Sequence, residues 1–233
     1  MIVPPDLAAR LQAVAQYHPM GIAIGVGFGA GLRAGEAAAL RWQDVDLTRG
    51  QLAINGTIKP SRDGWRRDKT KSRKVRIVRV SIDLIDWLIR HRRIQVDTAV
   101  HVGYPPPEFV MANMDTGRGV NRDVPVNVLR QLLADVCTAE ELEQFAELRY
   151  HALRHTHISG LLSQRAGIAD VAARAGHTPA TLLKYYAHAI PGADEQLAAM
   201  AGALFPVLKP EATRVATIHG RKASQYNLRF TDT

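Results

Sequence analysis

A change of hydrophobic period in the middle of the 233-residue chain sets its fold class more firmly than any other feature. From Pro5 to Gln16 and from Ile82 to Ile94, apolar residues recur at helical intervals. From Gln51 to Ser81 the pattern changes to two short apolar runs, which predict strands. Asn55-Gly56 and Asp63-Gly64 are turn signals that favour antiparallel pairing. We therefore expect a mainly α domain (α+β) with a small antiparallel β-sheet inserted between helices.

The apolar stretch from Met20 to Leu40 contains six glycines. A glycine inside a helix costs up to about 1 kcal/mol relative to alanine, so close packing or a break is expected here. The run from Gly27 to Gly31 lacks the Gly-x-Gly-x-x-Gly spacing of a dinucleotide site and the Lys-Ser/Thr of a P-loop. We expect no nucleotide site in this stretch.

Helical patterns resume near Pro125, after loops rich in proline and glycine. The predicted helical segments are Val126–Val136, Glu140–Glu147, Leu153–Gln164, Ile168–Ala175, Ala180–Ala189 and Asp194–Leu204. After Lys209 the apolar periodicity fades and the sequence becomes basic. Residues 1–208 are expected to form one domain, and residues 209–233 a flexible tail.

The net charge of +8 favours a polyanionic partner, and composition alone does not choose between nucleic acid and an anionic membrane surface. No segment approaches the roughly 20 apolar residues of a membrane span, and Met1 to Arg10 lacks a secretion signal, so we expect a cytoplasmic protein. The only cysteine, Cys137, excludes an intramolecular disulfide and a zinc site built on several thiolates.

His151 and Arg154 lie three residues apart and would be neighbours on a helix, where both can face one phosphate. A guanidinium beside an imidazole of near-neutral pKa suits phosphoryl transfer without a metal. His151, His155 and His157 also leave open a metal site, and with it a metal-dependent hydrolase, although no His-Glu-x-x-His is present and capping or core histidines fit the same spacing.

Five segments resemble, in order and spacing, the motifs of tyrosine recombinases of the phage-integrase type. They are Gly31–Glu36 with Leu40–Leu47, Asp68–Val75, His151–His157, Gly176-His177 and Tyr186-Ala187-His188. The resemblance covers roughly Pro4 to Leu204 and implies the DNA breaking-rejoining catalytic fold. It also implies a site-specific DNA recombinase that cuts and rejoins DNA through a 3′-phosphotyrosyl intermediate, without metal, ATP or another cofactor.

The resemblance implies a role for each matching residue. Arg33 and Arg154 should bracket the scissile phosphate, and His177 should donate a further hydrogen bond. Lys69 should protonate the departing 5′ oxygen, although Lys71 lies on the same side of an alternating strand and remains an alternative.

Tyr186 is the nucleophile that the resemblance implies, because it begins the Tyr-x-His motif. Tyr185 would point about 100° away on a helix, so only one of the two can address a given phosphate. His151 should assist proton transfer at Tyr186, and Glu36 should hold Arg33 or His151 in place.

Ten of the 30 Lys and Arg residues lie between Lys59 and Arg79. Next to a cleavage site, this basic hairpin would contact the phosphates of double-stranded DNA, whereas alone it could be a solvated turn. The candidate DNA-binding residues are Arg66, Arg67, Lys71, Arg73 and Lys74.

Members of this family usually carry a helical core-binding domain that closes a clamp around DNA. Only about 30 residues precede Arg33, so we expect that domain to be absent from this chain, and DNA binding to be weak and salt-sensitive. The family recombines as a tetramer on paired sites, although this chain could be monomeric without DNA. A type IB topoisomerase and a DNA-binding domain without recombination activity are the alternative functions.

Overall fold

A computed structural model of the protein describes residues 1–62, 64–69 and 75–190. Within these residues the prediction of a mainly helical domain with small antiparallel sheets is confirmed. Four predictions lie outside them: the DNA-binding residues Lys71, Arg73 and Lys74, the alternative acid Lys71, the helix from Asp194 to Leu204, and the tail of residues 209–233. No helix of the described part is long and apolar enough to cross a membrane.

The strands of the described part follow one another between two groups of helices, as the change of hydrophobic period predicts. The helices are α1 (Pro5–Ala15), α2 (Ile22–Ala30), α3 (Ala34–Ala39), α4 (Ile82–Val102), α5 (Asp123–Val136), α6 (Ala139–Gln144), α7 (His151–Ser163), α8 (Ile168–Ala175) and α9 (Pro179–Tyr186). The strands are β1 (Val45–Asp46), β2 (Gln51–Ile54), β3 (Gly56–Ser61), β4 (Gly64–Lys69) and β5 (Arg76–Arg79).

The strands form two antiparallel sheets, a three-stranded one in the order β1-β2-β5 and a two-stranded hairpin of β3 and β4. Ser61 pairs with Gly64, so the chain reverses direction between β3 and β4 at the predicted place, and Asp63 itself lies outside the described residues. The predicted turn at Asn55-Gly56 is wrong, because β2 runs through Asn55 into β3 and so passes from one sheet to the other. The Asn55 side chain instead donates to Oδ1 of Asp44, at 2.6 Å.

The glycine-rich stretch shows both of the expected features, a break and close packing. The break lies at Gly31, whose φ of +64° is left-handed and ends α2. Within α2, a Cβ on Gly27 would lie 2.7 Å from Cδ1 of Leu153, so the two helices approach closely there. The chain therefore enters α3 at Arg33 directly beside α7.

Three clusters of buried apolar side chains form the core of the described part, and α7 contributes to the two larger ones. Leu153 belongs to the larger of these two, which involves α1, α2, α4 and α5. Ile158 belongs to the other, which involves α8, α9 and Tyr186. Side chains at the beginning of α7 are consequently fixed by packing on both sides.

Candidate active site

Two arginines from distant parts of the chain converge on one histidine nitrogen. Nη2 of Arg33 lies 3.0 Å from Nε2 of His177, and Nη2 of Arg154 lies 3.1 Å from the same atom. A guanidinium can only donate, so Nε2 accepts and the proton of the neutral imidazole is on Nδ1. Nδ1 is buried without a hydrogen-bond partner among the described residues.

Burial keeps His177 neutral, and its neighbours reinforce the effect. Burial and the charges of Arg154 and Arg33 lower the pKa of His177 to about 4. The imidazole therefore carries no charge at neutral pH, and the positive charge of the cluster resides on the arginines.

Arg154 is fully buried, which is rare for a charged side chain. Its Nη1 donates to the carbonyl of Gly31 at 2.6 Å, and its Nη2 also donates to the carbonyl of Ala175. Burial and the charge of Arg33 lower the pKa of Arg154 to about 10, so it remains a cation at neutral pH. Its Nε has no partner among the described residues.

Glu36 holds the first arginine at the start of α3 by accepting two hydrogen bonds from it. The backbone N–H of Arg33 donates to Oε2 and its Nη1 donates to Oε1, both at 3.0 Å. Arg76 binds the other side of the carboxylate, with its Nη1 3.0 Å from Oε1 and its Nη2 2.7 Å from Oε2. Although burial alone would raise it, the hydrogen bonds and charge of Arg76, with Arg33, lower the pKa of Glu36 to about 2.

Arg76 was not predicted as a site residue. It shares a face of β5 with Val78, which is fully buried, so the strand period directs its side chain inward. That signal was ambiguous in the sequence, because Ile77 on the opposite face is equally apolar. In the structure Ile77 is the exposed one.

A second pair of residues that was not predicted, Arg174 and His157, connects the helices and the strand around the site by hydrogen bonds. His157 donates from Nδ1 to the carbonyl of Phe28 at 2.6 Å and accepts at Nε2 from Nε of Arg174 at 3.0 Å. Arg174 also donates to the carbonyls of Gly29 and Arg79, at 3.1 Å and 2.8 Å. One guanidinium thus ties α2, α7, α8 and β5 together.

Tyr186, rather than Tyr185, faces the interior. Tyr186 is 2% exposed and Tyr185 58%. The Tyr186 hydroxyl lies 2.6 Å from Nδ1 of His155. Burial raises the pKa of Tyr186, while Arg154 and Arg33 act in the opposite direction, which places the phenol within their electrostatic reach.

His151 lies beside this pair but is not bonded to the phenol. Its ring meets that of His155 edge-to-face, with centroids 4.5 Å apart. Desolvation, followed by His155 and Arg154, lowers the pKa of His151 to about 4. His155 was not predicted as a catalytic residue, and no group of three metal-ligating side chains is present in the described part.

In the basic hairpin, the predicted DNA-binding residues Arg66 and Arg67 differ in exposure. Arg66 is 71% exposed and lies 3.7 Å from Asp68. Arg67 does not match the prediction, because its side chain is 22% exposed and points into the domain, with Nε donating to the carbonyl of Ala39 at 3.1 Å. Its Nη2 contacts Asp44 and Asn55. Lys69 ends β4 opposite Gly56, and its side chain lies outside the described part.

Comparison with known proteins gives a consistent picture. A family model described as the phage integrase family matches residues 6–191. The integrase of Staphylococcus phage L54a is 29% identical over 180 residues, which are 72% of this chain and 47% of that protein. A XerC-like tyrosine recombinase of Caldanaerobacter subterraneus is 24% identical over 176 residues, 70% of this chain and 44% of that protein. The chain thus spans about half the length of these relatives.

Solved structures show the same fold. The Tn1549 transposon integrase in complex with transposon right end DNA matches with a TM-score of 0.66 and 16% identity, over 88% of this chain and 66% of that one. The catalytic domain of bacteriophage HP1 integrase matches with a TM-score of 0.56 and 20% identity, over 88% of this chain and 98% of that one. The predicted catalytic-domain fold is confirmed, and the comparisons favour an integrase over the topoisomerase alternative.

Proposed function

The chain belongs to the phage integrase family, and on that premise we propose that it is the catalytic part of a site-specific recombinase. It cleaves and rejoins DNA by transesterification, and Tyr186 forms the 3′-phosphotyrosyl intermediate. The observation that carries the proposal is the convergence of Arg33 and Arg154 on one acceptor, with Tyr186 in electrostatic reach of both.

The two arginines bind the scissile phosphate. An anionic phosphate oxygen accepts stronger hydrogen bonds than a neutral imidazole nitrogen, so it displaces Nε2 of His177 from their Nη2 atoms. Once Nε2 is released, a shift of the imidazole proton from Nδ1 to Nε2 lets His177 donate a hydrogen bond to the same phosphate. The guanidiniums offset the charge that builds up in the pentavalent transition state, and Glu36 keeps Arg33 in its orientation.

Lys69 supplies the proton for the departing 5′ oxygen. Its strand is paired with β3, which packs on α3, the helix that Arg33 caps. This backbone position supports the assignment, and Lys71 remains the alternative acid.

Double-stranded DNA is the proposed partner, in the cytoplasm of a bacterial or phage-infected cell and at its nucleoid. The formal charge of +8 supports binding to phosphates, and the exposed Arg66 is placed for such a contact, together with Lys71, Arg73 and Lys74. Recombination joins four protomers on paired sites. Light scattering with and without a cognate site would report that assembly as an increase in mass that depends on DNA.

Covalent capture tests the proposal directly. The full chain is mixed with fragmented genomic DNA carrying nicks, and stalled adducts are trapped in detergent, sequenced and mapped to the modified tyrosine. We expect adducts at Tyr186 that the Tyr186→Phe variant does not form and the Tyr185→Phe variant does. Adducts that survive in Tyr186→Phe, or that map to Tyr185, would contradict the assignment.

A further inference from the structure

The hydroxyl of Tyr186 already has a proton acceptor in the resting site. Its oxygen lies 2.6 Å from Nδ1 of His155, and the two rings are 5.3 Å apart with planes inclined at 39°. Tyr186 is nearly fully buried, and its bond to His155 is partly buried. We propose that His155 is a further catalytic residue, which accepts the phenolic proton of Tyr186 as it attacks DNA; this rests on the proposed function.

The direction of the hydrogen bond follows from the charge state of the imidazole. Burial, the amino terminus and Arg154 lower the pKa of His155 below its ordinary value, so the ring is neutral at neutral pH. Nδ1 then has a free lone pair, the phenol donates to it, and the imidazole proton sits on Nε2. This is the geometry that a general base requires before proton transfer.

The covalent step balances with His155 in this role. The O–H bond of Tyr186 breaks and its proton passes to Nδ1 of His155, while the phenolic oxygen forms a bond to phosphorus. The P–O5′ bond breaks, and the 5′ oxygen takes a proton from the acid assigned to Lys69. On rejoining, the 5′ hydroxyl gives its proton back to Lys69 and its oxygen attacks phosphorus, the bond between phosphorus and the Tyr186 oxygen breaks, and His155 returns its proton to that departing phenolic oxygen.

His151, which the resemblance implies as the residue that assists proton transfer at Tyr186, contacts His155 in the described part. It opens α7, and its ring packs edge-to-face against His155 rather than reaching Tyr186. His151 therefore positions His155 from one side, and Arg154 supplies the positive charge on the same helix. The proton acceptor lies four residues later in the chain than the resemblance implied.

The first test needs no DNA. Nitrogen NMR of the histidine rings in the full chain should show an unprotonated, hydrogen-bonded Nδ1 at His155 at pH 7. The Tyr186→Phe variant should shift that resonance, and Tyr185→Phe, which alters an exposed ring, should leave it in place. A protonated Nδ1, or an unchanged resonance in Tyr186→Phe, would overturn the proposal.

The second test measures the rate of adduct formation on a nicked fragment recovered by covalent capture. His155→Gln keeps a polar side chain but cannot take up a proton, so the rate should fall by about 10² to 10⁴-fold. The residual rate should rise tenfold per pH unit, because phenolate must then form without a base. Added imidazole should restore part of the rate to His155→Ala, which a merely structural role would not allow.

The outcomes separate the two proposals. Adducts that require Tyr186 but form at the wild-type rate in His155→Gln would overturn the role of His155 and leave the recombinase function standing. Failure of the wild-type chain to form any Tyr186-dependent adduct would overturn the function itself.

Discussion

Replacement of Arg76 by methionine removes two of the hydrogen bonds that hold the buried carboxylate of Glu36. A carboxyl whose pKa falls from 4.5 to about 2 on folding stabilises the protein by about 3 kcal/mol at pH 7, at 1.36 kcal/mol per pKa unit. Without Arg76, burial returns that pKa to its ordinary value or above it, and we expect Arg76→Met to lower the free energy of unfolding by about that amount.

The sign of the pH dependence follows from the same shift. Because folding lowers the pKa of Glu36, its contribution is complete above the unfolded value of 4.5 and is lost as the pH falls toward 2. The difference in free energy of unfolding between wild type and Arg76→Met should therefore be about half as large at pH 3 as at pH 7.

Urea denaturation of the full chain measures both quantities. With a slope of about 2 kcal/mol per molar, the midpoint should fall by about 1.5 M at pH 7. Arg79→Met is the matched control, since it lies on the same strand with an exposed side chain, and it should change stability by less than about 0.5 kcal/mol. The ion-pair argument would be refuted if Arg76→Met lowered the free energy of unfolding by less than about 1 kcal/mol, or if its difference from wild type did not depend on pH.

Three further predictions concern packing, DNA contact and the leaving group. Gly27→Ala should cost about 1 to 3 kcal/mol by thermal denaturation, because its Cβ would lie 2.7 Å from a neighbouring leucine, whereas Gly160→Ala meets open space and should not destabilise. In DNA-binding titrations at several salt concentrations, Arg66→Gln should reduce the slope of log affinity against log salt concentration by about 1. Arg67→Gln should lower the stability of the protein instead, because its side chain points into the domain. A 5′-thiol leaving group needs no acid, so it should restore cleavage to Lys69→Ala; failure to do so would favour Lys71.

Local pattern accounts for much of the fold. Helix α8 has the predicted bounds of Ile168 and Ala175, because its apolar period and the following Gly176 agree. Helix α4 extends past the predicted Ile94 to Val102, since the polar and β-branched residues after Ile94 hide its period. The prediction of a turn at Asn55-Gly56 is wrong because turn propensity is a local property, whereas the partner of β2 is the distant strand β5.

The candidate site divides in a similar way. Motif spacing predicted Arg33 and Arg154 as site residues, and in the structure both donate hydrogen bonds to His177. Arg76 and His155 were not assigned, because each acts through a partner that is distant in sequence. Helical spacing shows that His155 shares a face with His151, but it does not show that this face meets α9.

The arginines have two effects that depend on each other. They supply the cationic site for a phosphate, and their charges add to the desolvation that lowers the pKa values of His151 and His177, both to about 4. The same cluster keeps His155 neutral, so its Nδ1 lone pair is available to the Tyr186 hydroxyl, where a protonated ring would only add charge. A bound phosphate would weaken this effect by offsetting the arginine charge, so the imidazoles would become stronger bases when the scissile group arrives. The proton acceptor at Tyr186 would thus gain basicity from the substrate that the reaction requires.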